Sequence, residues 1–95
     1  MRTLTERKNA IEALQENKKV CSPTNYFGEN NHIRIDIMID VISENRSEEF
    51  VYKHYQSHFE DGTEDTVGHG NWQAGINALE YLRGEIEITD LLYPA

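Results

Sequence analysis

The segment "HIRIDIMIDVI" (His32 to Ile42) constrains the fold more than any other part of the chain, because its apolar and polar residues alternate. Every second position is β-branched and apolar: Ile33, Ile35, Ile37, Ile39 and Val41. The positions between them hold Arg34, Asp36, Met38 and Asp40. A period of two places one set of side chains on each face of a β-strand. The alternation predicts a strand with one face towards the core and one towards water, as in an antiparallel sheet covered by helices on one side.

Helices are predicted at both ends of the chain. Thr3 and Glu6 have the spacing of a capping box, and apolar residues follow at helical spacing: Leu4, Ala10, Ile11 and Leu14. This first helix is expected to end near residues 17–19. Asn71 is expected to cap a second helix, which ends at Gly84. The inner face of that helix is expected to carry Trp72, Gly75, Ile76, Leu79 and Leu82.

Two further segments favour strands between these helices. "FVYKHYQSHF" (Phe50 to Phe59) is aromatic and β-branched, and the turn signal Asp61-Gly62 follows it. A helix is the alternative for this segment, since Val51, Tyr55 and Phe59 would form an apolar stripe. Thr63 to Val67 is a short candidate third strand, and Glu85 to Ile88 a possible fourth.

The predicted fold is a single α+β domain covering residues 1–95. It has two layers: a three- or four-stranded antiparallel sheet, with an N-terminal and a C-terminal helix on one face. The order of elements is α-β-β-β-α.

Charge restricts the possible partners. The chain has 17 acidic and 9 basic residues, a net charge of −8, and its last 42 residues hold eight acids against one base, Arg83. Such a surface repels phosphate backbones and anionic lipids, so neither a nucleic acid nor a membrane is an expected partner. A single cysteine, Cys21, cannot form an internal disulfide. With no leader or membrane-spanning run expected, the predicted location is the cytoplasm.

The best candidates for a metal or catalytic site are His54 and His58, with His69 and Asp61 as possible additions. On a helix, a spacing of four would place both imidazoles on one face, as in zinc sites. On the favoured strand they would lie roughly 13 Å apart. The sequence therefore predicts no catalytic residue, no metal ligand and no cofactor. A metal-dependent enzyme using His54 and His58 remains an alternative.

The segment "GHGNWQAGINALEYL" resembles the last helix of the double-stranded RNA-binding domain. The resemblance lies in its glycines and small residues: Gly68, Gly70, Ala74, Gly75 and Ala78. It implies the α-β-β-β-α layout. RNA binding is not implied, because the lysines that meet RNA in that family are replaced by Asn71, Trp72 and Gln73.

In size, acidity and lack of a catalytic motif, the chain also resembles the small inhibitors that phages make against host defence nucleases. These include DNA mimics of the anti-restriction and anti-CRISPR types. The resemblance implies a non-enzymatic inhibitor in the host cytoplasm that binds the basic nucleic-acid-binding site of a host nuclease or another DNA- or RNA-processing protein. The resemblance carries over no individual residues.

The residues expected to bind that partner are the clustered acids and the single tryptophan: Glu60, Asp61, Glu64, Asp65, Trp72, Glu85 and Glu87, with Glu48 and Glu49 as outliers. On a strand, alternate residues lie roughly 6.6 Å apart, so Glu85 and Glu87 would form a regular row of charge. A competing hypothesis is a regulatory or structural module that forms a homodimer through the apolar sheet or Trp72 and uses its charge for solubility.

Overall fold

The computed structural model describes residues 1–24, 30–55 and 66–92, with the side chains of the last range described from residue 73 onwards. Within these ranges the structure contains helices and no β-strand. The helices are α1 (Leu4–Val20), α2 (Asn31–Glu44), α3 (Glu48–Tyr55), α4 (Thr66–Leu82) and α5 (Ile88–Leu92). The predicted α+β fold is therefore wrong, and so is the layout implied by the resemblance to the double-stranded RNA-binding domain.

Helix α1 begins where the capping box predicts. Glu6 N donates to Thr3 Oγ1 at 3.1 Å, and Thr3 N donates to Glu6 Oε1 at 3.0 Å. These two bonds satisfy backbone N–H groups that have no acceptor inside the helix. Ala10 and Leu14 are buried as expected, whereas Leu4 is 72% exposed. The prediction of this helix is confirmed, with its end one residue beyond the expected range.

The alternating segment His32 to Ile42 is a helix, so the predicted strand is wrong. Asn30 accepts a hydrogen bond from Ile33 N at 3.0 Å and begins α2. Asn45 ends the helix in a left-handed conformation (φ 52°), with its N–H donating to Val41 O. Both positions favour asparagine, whose short polar side chain caps helices and tolerates positive φ.

Burial along α2 follows the helical period. The buried residues are Arg34, Ile35, Ile37, Met38, Val41 and Ile42, whereas Ile33 is 37% exposed. Residues three, four and seven apart share a face, so Ile35, Met38 and Ile42 lie together. The strand interpretation placed Arg34 and Met38 on the wet face, and both are in fact buried.

The segment Phe50 to Phe59 is helical wherever the structure describes it. Its first six residues lie in α3, and residues 56–59 fall outside the described ranges. Val51 is fully buried and Tyr55 half-buried, as in the helical alternative for this segment. Val51 packs against α4 at Gly75, where a Cβ atom would come within 2.7 Å of Val51 Cγ1. Glycine at position 75 therefore allows α3 and α4 to approach closely.

The two remaining strand predictions also fail. Thr66 and Val67 begin α4, five residues before the cap expected at Asn71, and residues 63–65 lie outside the described ranges. In the segment Glu85 to Ile88, the first three residues form a turn and Ile88 begins α5. The predicted stop at Gly84 is confirmed: its φ of +81° is a conformation that glycine adopts without strain.

Helix α2 lies between α1 and α4, and the core forms along these two contacts. The end of α4 is joined to the start of the chain by three hydrogen bonds: Arg2 N donates to Leu82 O at 3.2 Å, Arg2 Nε donates to Tyr81 O at 2.9 Å, and Tyr81 Oη donates to Glu6 O at 3.2 Å. This junction brings the acidic turn after α4 next to the beginning of α1.

Candidate functional site

Five of the nine predicted partner-binding residues cannot be placed as side chains. Glu60, Asp61, Glu64 and Asp65 lie outside the described residues. Trp72 lies in the N-terminal half of α4, within the part of that helix whose side chains are not described. Their role in binding stays a prediction.

Glu48 and Glu49 form the first turn of α3, and both side chains are exposed. Ser47 caps this helix, since its Oγ accepts a hydrogen bond from Phe50 N at 3.1 Å. Carboxylates are favourable at a helix N-terminus because the helix dipole is positive there. The pair therefore stabilises α3 locally and also presents two adjacent negative charges to solvent.

Glu85 and Glu87 belong to the turn between α4 and α5, so the predicted regular row of charge is wrong. Glu85 Oε1 lies 3.9 Å from Arg83 Nε, and Glu87 Oε2 lies 3.4 Å from Arg2 Nη2. Glu87 is nevertheless 72% exposed. Each carboxylate is thus partly neutralised by an arginine, which weakens its attraction for an outside cation.

The basic residues of the described chain are largely engaged with acids of the same chain. Five of them form ion pairs within 4 Å: Arg2, Lys18, Lys19, Arg46 and Arg83. Exposed acids that take no part in those pairs include Glu12, Glu44, Glu48 and Glu49. The surplus of negative charge is therefore carried by exposed carboxylates, where it is available to a partner.

A groove of about 370 Å³ opens beside Glu48. Its lining consists of Met1, Asn45, Arg46, Glu48, Leu79, Leu82 and Arg83. Leu79 and Leu82 are nearly buried, whereas Met1 is 88% exposed. The groove therefore combines apolar and charged side chains next to the Glu48 and Glu49 pair.

A hydrogen-bonded polar cluster joins the end of α2 to α3. Arg46 donates two hydrogen bonds to the Asp40 carboxylate, at 3.1 and 3.2 Å, and Tyr55 Oη donates a third at 2.8 Å. The Arg46 guanidinium also lies over the Phe50 ring, 4.2 Å from its centroid. Partial burial alone would raise the pKa of Asp40, but the hydrogen bonds from Arg46 and Tyr55 outweigh it and hold that pKa below its usual range.

This cluster is suited to holding two helices together and poorly suited to proton transfer. Burial, and then the hydrogen bond to Asp40, raise the pKa of Tyr55 to about 12. Asp40 is therefore ionised and Tyr55 neutral throughout the neutral range. General acid-base catalysis favours a group whose pKa lies near the working pH, and both of these pKa values lie far from it.

The cluster makes the stability of the protein depend on pH at both extremes. The lowered pKa of Asp40 stabilises the fold above the ordinary carboxyl value, and this contribution is lost as the pH falls below about 4. The raised pKa of Tyr55 stabilises the fold below about pH 10, and this contribution is lost as the pH rises towards 12.

We expect Tyr55→Phe to lower the free energy of unfolding by about 1 kcal/mol at pH 7, measured by denaturant titration, with the difference from wild type shrinking above pH 10. A difference that is unchanged at pH 11 would contradict this assignment.

Histidine chemistry gains no support in the described residues. His54 is exposed and stacks on Phe50, with ring centroids 4.0 Å apart, while His58 lies outside the described ranges. No group of three potential metal ligands occurs among the residues that the structure describes. Of the two histidines in the metal-dependent alternative, the structure therefore places only His54, and it shows no metal site among the described residues.

Sequence analysis missed Arg34 and the cluster of Asp40, Arg46 and Tyr55. Asp40 and Tyr55 were assigned to strands, and no role was assigned to Arg46. The helical spacing of Ile35, Met38 and Ile42, flanked by Asn30 and Asn45, was the signal that would have placed them.

Comparisons with known proteins found no relative. No protein-family model matches the chain, and searches of curated proteins and of solved structures found no match either. No family model or homologue supports the resemblance to phage-made inhibitors, and the helical fold contradicts the layout implied by the resemblance to the double-stranded RNA-binding domain, so both resemblances are wrong. None of the helices in the described ranges is long and apolar enough to cross a membrane.

Proposed function

We propose that this protein acts by binding, without catalysis, and that its partner is the basic, nucleic-acid-binding surface of another protein in the cytoplasm. The observation that carries the proposal is the charge balance of the chain, which has 17 acids against 9 bases. Most of the basic residues in the described ranges are also paired with acids of the same chain. The surplus is displayed on exposed carboxylates, of which Glu48 and Glu49 are an adjacent pair.

Electrostatics supports this choice of partner. A field of one sign accelerates encounter with the opposite sign and disfavours partners of the same sign. Surfaces that bind nucleic acids are rich in lysine and arginine. An acidic domain therefore competes for such a surface and at the same time repels nucleic acid itself.

The groove beside Glu48 supports a contact that goes beyond charge. A lysine or arginine of the partner can lie along the carboxylates, while an adjacent apolar side chain contacts Leu79 and Leu82. We place the centre of the interface at this point. The acids at positions 60, 61, 64 and 65 remain part of the proposal by their charge alone.

The proposal is tested by capturing partners from a bacterial lysate on the immobilised protein. The captured proteins should elute when NaCl is raised from about 50 mM to about 500 mM, because exposed charge pairs are screened over this range. Duplex DNA should elute the same proteins. Captured proteins that resist both treatments would contradict the proposal.

Two variants of equal charge change make the test specific to the site. E48K/E49K reverses the pair beside the groove, and E12K/E16K reverses an exposed pair on α1. We expect the first variant to weaken capture at least about tenfold and the second to weaken it much less, because only contact pairs lose a direct attraction. Equal losses of capture by the two variants would show that binding depends on the net charge of the protein and not on the Glu48 and Glu49 pair. The variant E60K/D61K/E64K/D65K tests the remaining acids in the same way.

The homodimer alternative has a different signature. Sedimentation of the free protein at low and high salt should report a monomer at both if the binding proposal is correct. A dimer that persists in high salt would favour the regulatory module, since apolar interfaces are insensitive to screening.

A further inference from the structure

Arg34 is the buried charged residue of the described chain, and it lies at the positive end of a helix. The residue is 8% exposed and belongs to the first turn of α2, which begins at Asn31. Its Nε is fully enclosed and has no hydrogen-bond partner. No acid among the described residues forms an ion pair with it, in contrast to Arg2 and Arg46.

This arrangement is unfavourable for a free cation. Buried arginines are ordinarily paired or hydrogen-bonded, because an unpaired charge loses its hydration without compensation. Helical side chains lean towards the N-terminus of their helix, so the guanidinium is directed towards the first turn of α2. The dipole of α2 is positive there and repels a cation. A bound anion at the first turn of α2 would compensate the guanidinium for its lost hydration and would interact favourably with the helix dipole.

The polar side chains of Asp36 and Asn30 have other partners, so neither pairs with Arg34. Asp36, two positions along the helix, points to the other side and binds Lys18 Nζ at 2.7 Å. Asn30 uses its side-chain oxygen to cap Ile33 N. His32 lies two positions before Arg34, so it also faces another side of the helix, and its buried, unpartnered Nε2 is not part of this place. The proposal therefore rests on Arg34 and on the helix N-terminus.

We propose that the first turn of α2 binds a small oxyanion, a phosphate or a carboxylate, and that Arg34 is the residue that holds it. A guanidinium binds such groups through two parallel N–H bonds, and a helix N-terminus adds its dipole. The protein's net negative charge repels polyanions, so the ligand carries one or two charges. This site is separate from the acidic surface proposed above and does not depend on it.

Thermal unfolding in phosphate, acetate and chloride of equal ionic strength tests the proposal on the full chain. Phosphate or acetate should raise the Tm saturably, by about 7 °C at a tenfold excess over the Kd. A rise in phosphate alone identifies a phosphate site, and a rise in acetate alone identifies a carboxylate site. Equal Tm values in all three salts would overturn the proposal.

Variants then locate the site. R34Q should abolish the anion-dependent rise in Tm, while R83Q, which removes the same charge from an exposed arginine, should retain it. In anion-free buffer R34Q should unfold at the wild-type temperature or above, because it removes an unpaired buried charge. A large fall in that Tm would instead show an internal carboxylate partner, and would overturn the proposal. Two measurements do not depend on R34Q: R34K should show a weakened anion-dependent rise in Tm, and the Arg34 Nε–H NMR resonance of the wild type should shift when phosphate is added. An unchanged resonance would overturn the proposal.

Discussion

Met38→Ala is expected to destabilise the protein by about 2–5 kcal/mol, because the residue is 1% exposed and its truncation leaves a cavity between α2 and its neighbours. A domain of this size is stabilised by only about 5–15 kcal/mol in total. The loss is therefore readily measured by denaturant titration. The expected loss of stability follows from the helical register, because a strand would place Met38 on the solvent-exposed face with Asp36 and Asp40.

Ile33→Ala is the matched control on the same helix. Ile33 is 37% exposed and lies outside the buried stripe, so its truncation should cost less than about 1 kcal/mol. The strand register predicts the reverse order, with Ile33 inside and Met38 outside. A larger loss for Ile33→Ala than for Met38→Ala would contradict the helical assignment of this segment.

Arg2→Ala is expected to cost about 2–3 kcal/mol, because one side chain joins three parts of the chain. Arg2 Nε donates to Tyr81 O at 2.9 Å, and Nη2 donates to Ile86 O at 2.5 Å. The guanidinium also lies 4.4 Å from the centroid of the Tyr81 ring and contacts the Glu6 carboxylate. Without it, two partly buried carbonyl oxygens lose their donors, and the start of the chain is no longer held to the end of α4.

Arg2→Lys separates geometry from charge. Lysine keeps the positive charge but cannot reach both carbonyls with a planar fork, so it should recover less than half of the loss. Lys8→Ala, at an exposed position on α1, provides the surface control and should change stability by less than about 0.5 kcal/mol. Full recovery by Arg2→Lys would show that charge alone is responsible.

The start of α1 and the end of α4 were the most predictable parts of this fold. Thr3 with Glu6 and the glycine at position 84 are local signals, and each acts through backbone hydrogen bonds or dihedral angles close to it. Such signals depend little on the rest of the molecule. The sequence-based prediction of α1 therefore agrees with the structure to within a few residues.

The alternating segment was mispredicted because two periods fit it at once. Isoleucine and valine favour strands, and every second residue is one of them. The residues that decide between the two periods are Met38 and Ile42, which complete a helical stripe with Ile35. Tertiary burial against α1 and α4 outweighs the intrinsic β preference, as is usual for short apolar segments.

The candidate site was predictable in charge and not in geometry. Composition alone shows the acidic surplus, and Glu48 and Glu49 are exposed as a surface role requires. The pairing of Glu87 with Arg2 could not be predicted, because the two residues are 85 positions apart and meet only when the fold brings the start of the chain to the end of α4. The burial of Arg34 likewise depends on the helical register of α2.

Backbone NMR of residues 31–44 tests the central claim most directly, because the burial of Arg34 and Met38 and the position of Asp40 all depend on this segment being helical. Positive Cα secondary shifts throughout, with contacts between Hα of one residue and the amide proton three positions on, are the predicted result. Negative Cα shifts with cross-strand contacts would contradict it.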